Sequence, residues 1–204
     1  SGAIGSALLQ QLLADHRVAS VQVLVRQSLA ITHPKLTQHL IQFDQIATVQ
    51  PQLTPVTDVY CTLGTTIKIA GSQAAFRRVD FDYVLATAQL GIACAAQRFM
   101  LVTALGANAK SGIFYNRVKG EIEQAVTALP YAAVHIARPS LLIASQRPDK
   151  RIGGTVGIFA AKALAPMMLG RLRKYRAVPV ERVAEGLFNA SFSHARGTSI
   201  LYFE

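Results

Sequence analysis

Ser1-Gly2-Ala3-Ile4-Gly5 runs without a break into an amphipathic helical pattern, Leu8 to Ala14, and from there into Val21-Gln22-Val23-Leu24-Val25-Arg26. A Gly-x-x-Gly at a helix start lets backbone amides come close to a pyrophosphate, and the helix N-terminus favours its charge. The β-branched run that follows reads as a strand. Such a turn ordinarily follows the first strand of its fold, with one more glycine before it. The sequence begins at Ser1, so a leading strand upstream of it is expected. In a doubly wound sheet that strand is central, and without it two edges and an apolar slot would be left open. Alone, the Gly-x-x-Gly serves equally well as an ordinary loop-to-helix pair.

The rest of the chain repeats the alternation. Strands are expected over His39 to Phe43, Val56 to Leu63, Arg98 to Thr103, Ala132 to Ala137 and Ser199 to Phe203. Helices are expected over Ala74 to Ala96, Phe114 to Leu129, Thr155 to Leu169 and Val180 to Ser191. Strands alternating with helices imply parallel βαβ units. The expected fold class is therefore α/β, a Rossmann-type doubly wound parallel sheet with helices on both faces. No repeat or linker divides the chain, so residues 1–204 read as one domain.

Composition agrees. The 204 residues are 51% hydrophobic, enough for one sizeable core. No uninterrupted apolar stretch reaches the roughly 18 residues of a membrane span. The opening does not read as a secretory leader. Cys61 and Cys94 make no disulfide framework, which suggests a reducing, cytoplasmic setting. The formal charge of +10 is uneven: residues 1–100 carry 7 basic and 5 acidic side chains, residues 101–204 carry 14 and 6. The clusters Arg147 to Arg151 and Arg171 to Arg176 would attract anions, or simply form a solvated basic face. No nucleic-acid-binding motif accompanies them, so nucleic acid and membrane surfaces are not the expected partners.

Several residues carry chemistry. Arg26 ends its strand 21 residues after Gly5, where an acid would hold the ribose hydroxyls of NAD and an Arg accepts the 2′-phosphate of NADP. NADP(H) is thus favoured over NAD(H). Asp44, after the next strand, can accept a hydrogen bond from an adenine amino group or be a plain loop acid. Cys61-Thr62-Leu63-Gly64-Thr65-Thr66 sits at a strand's carboxyl end, where ligand crevices form. Tyr115 and Lys119 are four apart and share a helix face. A neighbouring ammonium should lower the phenol pKa from its free value near 10 and fit the pair for proton exchange with a carbonyl or hydroxyl. Thr103 at the preceding strand end could orient the substrate oxygen. Pro139 and Ser140 end the following strand, near where a nicotinamide carboxamide would lie. The five histidines have no metal-ligand spacing, so no metal is expected; His135 reads as a core residue. No P-loop or Ser–His–acid arrangement is present.

Together these segments resemble the atypical short-chain dehydrogenases, in particular the NAD(P)H-binding group that includes the human Tat-interacting oxidoreductase-like protein and bacterial relatives. The resemblance rests on Ser1 to Gly5, Cys61 to Thr66, Arg77-Arg78-Val79-Asp80 through Asp82-Tyr83-Val84, Val102 to Ala107, Tyr115 through Lys119-Gly120-Glu121, and Arg138-Pro139. It implies a Rossmann fold, a Tyr115/Lys119 catalytic pair with Thr103 upstream, and cofactor contacts from Gly2, Ala3, Ile4, Gly5, Arg26, Asp44, Thr62 to Thr66, Tyr115, Lys119, Pro139 and Ser140. It also implies small substrate-side elements over residues 146–176 and 195–204. Ile67-Lys68-Ile69 departs from the more basic loop of relatives. The expectation is an NADP(H)-dependent oxidoreductase acting on a small-molecule carbonyl or alcohol. The alternative is a non-catalytic NADP(H)-binding regulator or scaffold. Oligomeric state is left open.

Overall fold

The computed structural model describes residues 2–143 and 177–203. The expected helix over Thr155 to Leu169, both basic clusters and the stretch 146–176 lie outside the described residues.

The sheet strands are β1 (Val21–Val25), β2 (Leu36–Leu40), β3 (Asp58–Cys61), β4 (Arg98–Val102), β5 (Ala133–Ala137) and β8 (Gly197–Leu201). They form a parallel pair β1-β2 and a parallel sheet in the order β3-β4-β5-β8. A further parallel pair, β6 (Leu142–Ile143) with β7 (Val178–Pro179), stands apart. Helices α1 (Ala3–Ala14) and α6 (Val180–Ser191) cover one face. On the other lie α5 (Phe114–Thr127) and a helical run made of α3 (Gln73–Arg77), a π turn (Arg78–Asp82) and α4 (Tyr83–Ala93). The short α2 (Ile67–Ala70) precedes that run. This is the expected Rossmann-type α/β fold.

Alternation along β4 explains the layers. Met100 and Val102 enter the core shared with Leu8, Leu12, Val183 and Leu187, while Phe99 and Leu101 enter the core shared with Val84, Ala88, Ile122 and Val126. A strand buried on both faces is apolar throughout, as Phe99-Met100-Leu101-Val102 is.

The parallel order breaks between β1 and β3, which are not hydrogen-bonded to each other. In a parallel ladder alternate residues bond to opposite sides. Val21 donates to Lys35 and Val25 accepts from Ile41, so Val21, Val23 and Val25 face β2. Thr57 accepts from Arg98, so Val59 and Cys61 face β4. The backbone groups of Gln22 and Leu24 therefore face those of Asp58 and Tyr60 across the break. The Gln22 amide reaches the Thr54 backbone, Nε2 donating to the carbonyl at 3.1 Å and Oε1 accepting from the N–H at 3.1 Å.

Several boundaries differ from expectation; the third strand, for one, is Asp58–Cys61 rather than Val56 to Leu63. The second strand is Leu36–Leu40 rather than His39 to Phe43, and Phe43–Gln52 is a run of 3-10 turns broken at Gln45. The last strand begins at Gly197. Within the stretch 195–204, residues 197–201 form an edge strand of the main sheet, held to β5 from Ala133–Gly197 to Ala137–Leu201.

Candidate active site

Helix α1 runs back along the sheet toward the start of β1, so its first turn lies at the carboxyl edge of the strands. Gly2 is its N-cap residue, with extended backbone (φ −75°, ψ 170°), and is exposed. A Cβ on Gly2 would meet nothing within 4 Å, which leaves this end open to a ligand. Ile4 is buried in the core and Ala3 packs against it, so these two hold the helix while Gly2 and Gly5 carry the smallest surface. No acidic residue occupies the first turn to oppose an anion. Arg26 follows β1 directly and is exposed.

The next crevice wall is the end of β3. Cys61 is buried, and burial pushes its thiol up to about 11. Thr62 and Leu63 are half-buried and Gly64 is exposed. Thr66 caps α2 by accepting from the Ile69 amide at 3.2 Å. A Cβ on Gly64 would lie 3.4 Å from Asp80 Oδ1 and 3.7 Å from Lys119 Nζ. Gly64 thus sits against the residues that α5 and the π turn present.

Lys119 is only 4% exposed and Asp80 is 0% exposed. Lys119 Nζ lies 2.7 Å from Asp80 Oδ1. The contact is an ion pair and lacks the alignment of a hydrogen bond. The other carboxylate oxygen, Oδ2, accepts from the Thr65 amide at 2.9 Å. Tyr115 packs its ring 5.4 Å from that of Phe76, which also meets Phe114 edge-on at 5.9 Å. Burial raises the Tyr115 pKa above its ordinary value; Lys119 pulls it down and Asp80 pushes it up. The expected lowering is therefore corrected. The ammonium acts in the expected direction, and desolvation of the phenolate outweighs it.

Asp80 was not assigned a role from the sequence, yet a signal was there. Phe76, Asp80 and Val84 are spaced four apart on the buried face of one helical run. A carboxylate in the middle of an apolar stripe needs a partner. The π turn at Arg78–Asp82 is a second signal, visible only in the backbone.

Thr103 is not brought into this cluster. Its hydroxyl donates to Glu123 Oε1 at 2.5 Å, and both residues are buried. Arg138 grips the same carboxylate through Nε at 3.0 Å and Nη2 at 2.5 Å, and reaches the Tyr202 hydroxyl at 3.3 Å. Pro139 is buried and its carbonyl accepts from the Leu105 amide at 2.8 Å, while Ser140 is half-buried beside it. A cleft of about 300 Å3 opens on this flank, bordered by Asn108, Gly120, Glu123, Thr127, Arg138 and Thr198; neither Gly64 nor Lys119 lines it. Asp44 is exposed and accepts from the Tyr83 hydroxyl at 2.7 Å, with the Phe43 ring tilted against that of Tyr83 at 5.6 Å. His135 is buried; its Nδ1 meets Ser199 Oγ, and its Nε2 has no partner. Among the described residues, no group of three or more His, Cys, Asp or Glu could hold a metal ion, and no helix is long and apolar enough to cross a membrane.

No family model matches the chain. HTATIP2 of Rattus norvegicus is 28% identical over 200 residues, 97% of this chain and 80% of the relative. The protein fmp52, mitochondrial, of Emericella nidulans is 33% identical over 171 residues, 80% of this chain and 72% of the relative. Among solved structures, MoeE5 in complex with UDP-glucose and NAD matches with a TM-score of 0.70 at 14% identity, covering 98% of this chain and 72% of the other. The oxidoreductase ylbE from Lactococcus lactis matches with a TM-score of 0.58 at 13% identity, covering 95% and 96%. At such identities the structural likeness carries the fold alone. The fungal relatives from Emericella nidulans and Coccidioides immitis are named mitochondrial, which overturns the cytoplasmic expectation. That expectation leaned on two cysteines, and two buried free thiols do not distinguish one reducing compartment from another.

Proposed function

Because this chain belongs to the atypical short-chain dehydrogenase family of HTATIP2 and the FMP52 proteins, we propose that it is an NADP(H)-dependent oxidoreductase acting on a small-molecule carbonyl or alcohol. One observation carries the reading: Lys119, one helical turn from Tyr115, brings its ammonium beside Gly64 at the carboxyl end of β3. A mitochondrial setting goes with the proposal, on the names of the fungal relatives.

The residues present fit a dinucleotide. The open Gly2 end of α1, with Ala3, Ile4 and Gly5, would take the pyrophosphate. Arg26 would take a 2′-phosphate, and Asp44 with Tyr83 would border the adenine. Thr62 to Thr66 would line the middle of the cofactor, and Pro139 and Ser140 the nicotinamide end. The bound nicotinamide would supply or accept the hydride.

This chain's own part is the proton. In the reducing direction Tyr115 Oη gives its proton to the carbonyl oxygen as that oxygen gains charge. Its raised pKa keeps the phenol protonated at neutral pH, the form this direction needs. Lys119 holds the nicotinamide ribose and offsets the charge left on the phenolate. Thr103 takes the orienting role only if its hydroxyl leaves Glu123. That commitment favours the second reading, a cofactor-binding regulator without turnover.

A titration of the protein with NADPH and with NADH tests the cofactor, with NADPH expected to bind more tightly. Tyr115→Phe separates the two readings. The first expects turnover of a screened aldehyde, ketone or quinone to fall about a hundredfold or more while NADPH binding persists. Robust turnover in that variant would sink the mechanism.

A further inference from the structure

We propose that the site takes a substrate with an apolar body: isoleucine and leucine side chains carried by the loops after three adjacent strands form a rim that holds an alkyl chain or ring while its carbonyl or hydroxyl meets Tyr115. The inference deepens the oxidoreductase reading and rests on Tyr115 lying at the reacting atoms.

The strands concerned are neighbours, in the order β3-β4-β5. The chain after β3 carries Ile67 and Ile69, the chain after β4 ends on Ile113, and the chain after β5 carries Leu141. All four side chains are exposed, Ile113 at 64%. None of them belongs to a buried core. Exposed apolar residues scattered singly are ordinary, whereas a cluster marks a binding groove. Among the described residues seven large hydrophobic side chains are exposed, and these four share the edge where Gly64, Tyr115 and Ser140 lie.

Their backbone is fixed without burying them. Ile113 is the N-cap residue of α5, two positions before Tyr115. Its amide donates to Ser111 Oγ at 3.1 Å and its carbonyl accepts from the Arg117 amide at 2.9 Å. Arg117 Nη1 donates to the Ser111 carbonyl at 3.0 Å, which braces the same turn. The single turn of α2 has no buried residue; Thr66 caps it and Gly71, at φ +82°, closes it. Ile67 and Ile69 stand on opposite sides of that turn, so at most one borders the crevice, and Ile113 is the residue on which the test is placed. The Leu141 carbonyl accepts from the Val178 amide at 2.8 Å. The nearby charges do not suit an anionic substrate. Lys119 is paired with Asp80, and Arg117 is drawn to the Ser111 carbonyl and to Glu121. Lys68 and Lys110 are exposed to water, where an ammonium adds little to the binding of a small anion.

Straight-chain amides from acetamide to octanamide mimic a substrate carbonyl without being turned over. Calorimetry on the full chain, with and without NADPH, reads their binding. Kd should fall about threefold to fourfold with each added methylene until the rim is covered. In Ile113→Asn the series should flatten, with octanamide bound about tenfold more weakly. Leu40 is the control, equally exposed at 64% but at the end of β2, across the break in the sheet. Leu40→Asn should keep the wild-type series. Thermal unfolding checks that the variants are folded, and Ile113→Ala carries the test if Ile113→Asn is not. A flat wild-type series overturns the proposal, as does a steep one that Ile113→Asn leaves unchanged or that both variants weaken alike. Pelleting with phosphatidylglycerol vesicles, or a dimer in sedimentation velocity, that Ile113→Asn abolishes would then assign the rim to a membrane or to a second copy. Amide binding needs no turnover, so its failure is separate from failure of the NADPH titration or of the Tyr115→Phe test.

Discussion

Thr103 and Glu123 are joined by a hydrogen bond of 2.5 Å inside the protein, between the first position after β4 and the third turn of α5. Arg138 and Tyr202 extend it to β5 and the end of β8. The hydroxyl thus serves a cross-braced network near the C-terminal edge of the sheet. Thr103→Val keeps the shape and deletes the donor. It should cost about 1–2 kcal/mol, lowering Tm by roughly 2–8 °C in a chain of this size. NADPH affinity should be unchanged. A variant that melts normally but loses turnover would instead give Thr103 to the substrate.

Much of the fold was legible because its strands are self-declaring. β1 and β5 are β-branched or apolar runs bounded by turn residues, and both fall where the pattern puts them. β2 was hidden because Leu36-Thr37-Gln38-His39-Leu40 is polar at its centre. Its Gln38 side chain bonds to the Leu29 amide and to the Leu29 and Ile31 carbonyls, a tertiary use that no periodicity reveals. The Tyr115 and Lys119 pairing was legible as a spacing of four. The sign of the phenol shift was not, because burial depends on Phe76 packing on the Tyr115 ring from a distant position in the sequence.

A phenol held protonated by burial gives the two reaction directions different pH profiles. Tyr115 is an acid in carbonyl reduction and, as phenolate, a base in alcohol oxidation. Its pKa lies above the ordinary value near 10. Reduction should therefore stay flat from pH 6 to about 9, and oxidation should climb about tenfold per pH unit over the same range. Steady-state rates in both directions check this. An oxidation rate independent of pH would remove Tyr115 as the base.

Gly120 follows Lys119 and is buried where the loop after β4 crosses α5. A Cβ there would overlap the backbone of Asn108 and Ala109, which cannot yield as a side-chain tip would. Asn108 is fixed in that place by its amide, which donates to the Asn116 carbonyl at 2.9 Å. Gly120→Ala should lower stability by about 1–3 kcal/mol or push the loop off the helix. Either result appears as a lower Tm or weaker amide protection at Asn108. A variant with native values for both would mean the loop is not seated on Gly120.

The break between β1 and β3 makes a residue-by-residue forecast for amide exchange. Val23 and Val59 donate within their ladders, whereas Gln22, Leu24, Asp58 and Tyr60 face the break. Their amides should exchange at least about tenfold faster than those of Val23 and Val59. Equal protection on both sets would mean that the gap is bridged by further backbone pairing.

His135 sets an acid limit on stability. It is buried in β5, and burial together with the nearby Arg98 charge lowers its pKa. The native state keeps the ring neutral at a pH where the unfolded chain, with a histidine near 6.5, already binds a proton. The unfolded state therefore holds more protons in this window, and stability rises with pH there. The contribution is fully present above about 6.5 and is lost as pH falls toward the lower native value. His135→Gln offers a neutral amide to Ser199 and removes the titration. Urea unfolding at several pH values should show wild-type stability falling between pH 7 and 5 with a slope of up to about one proton more than the variant. Identical slopes would place the acid sensitivity elsewhere, since the Nε2 atom without a partner leaves the ring no second site to stabilise its charge.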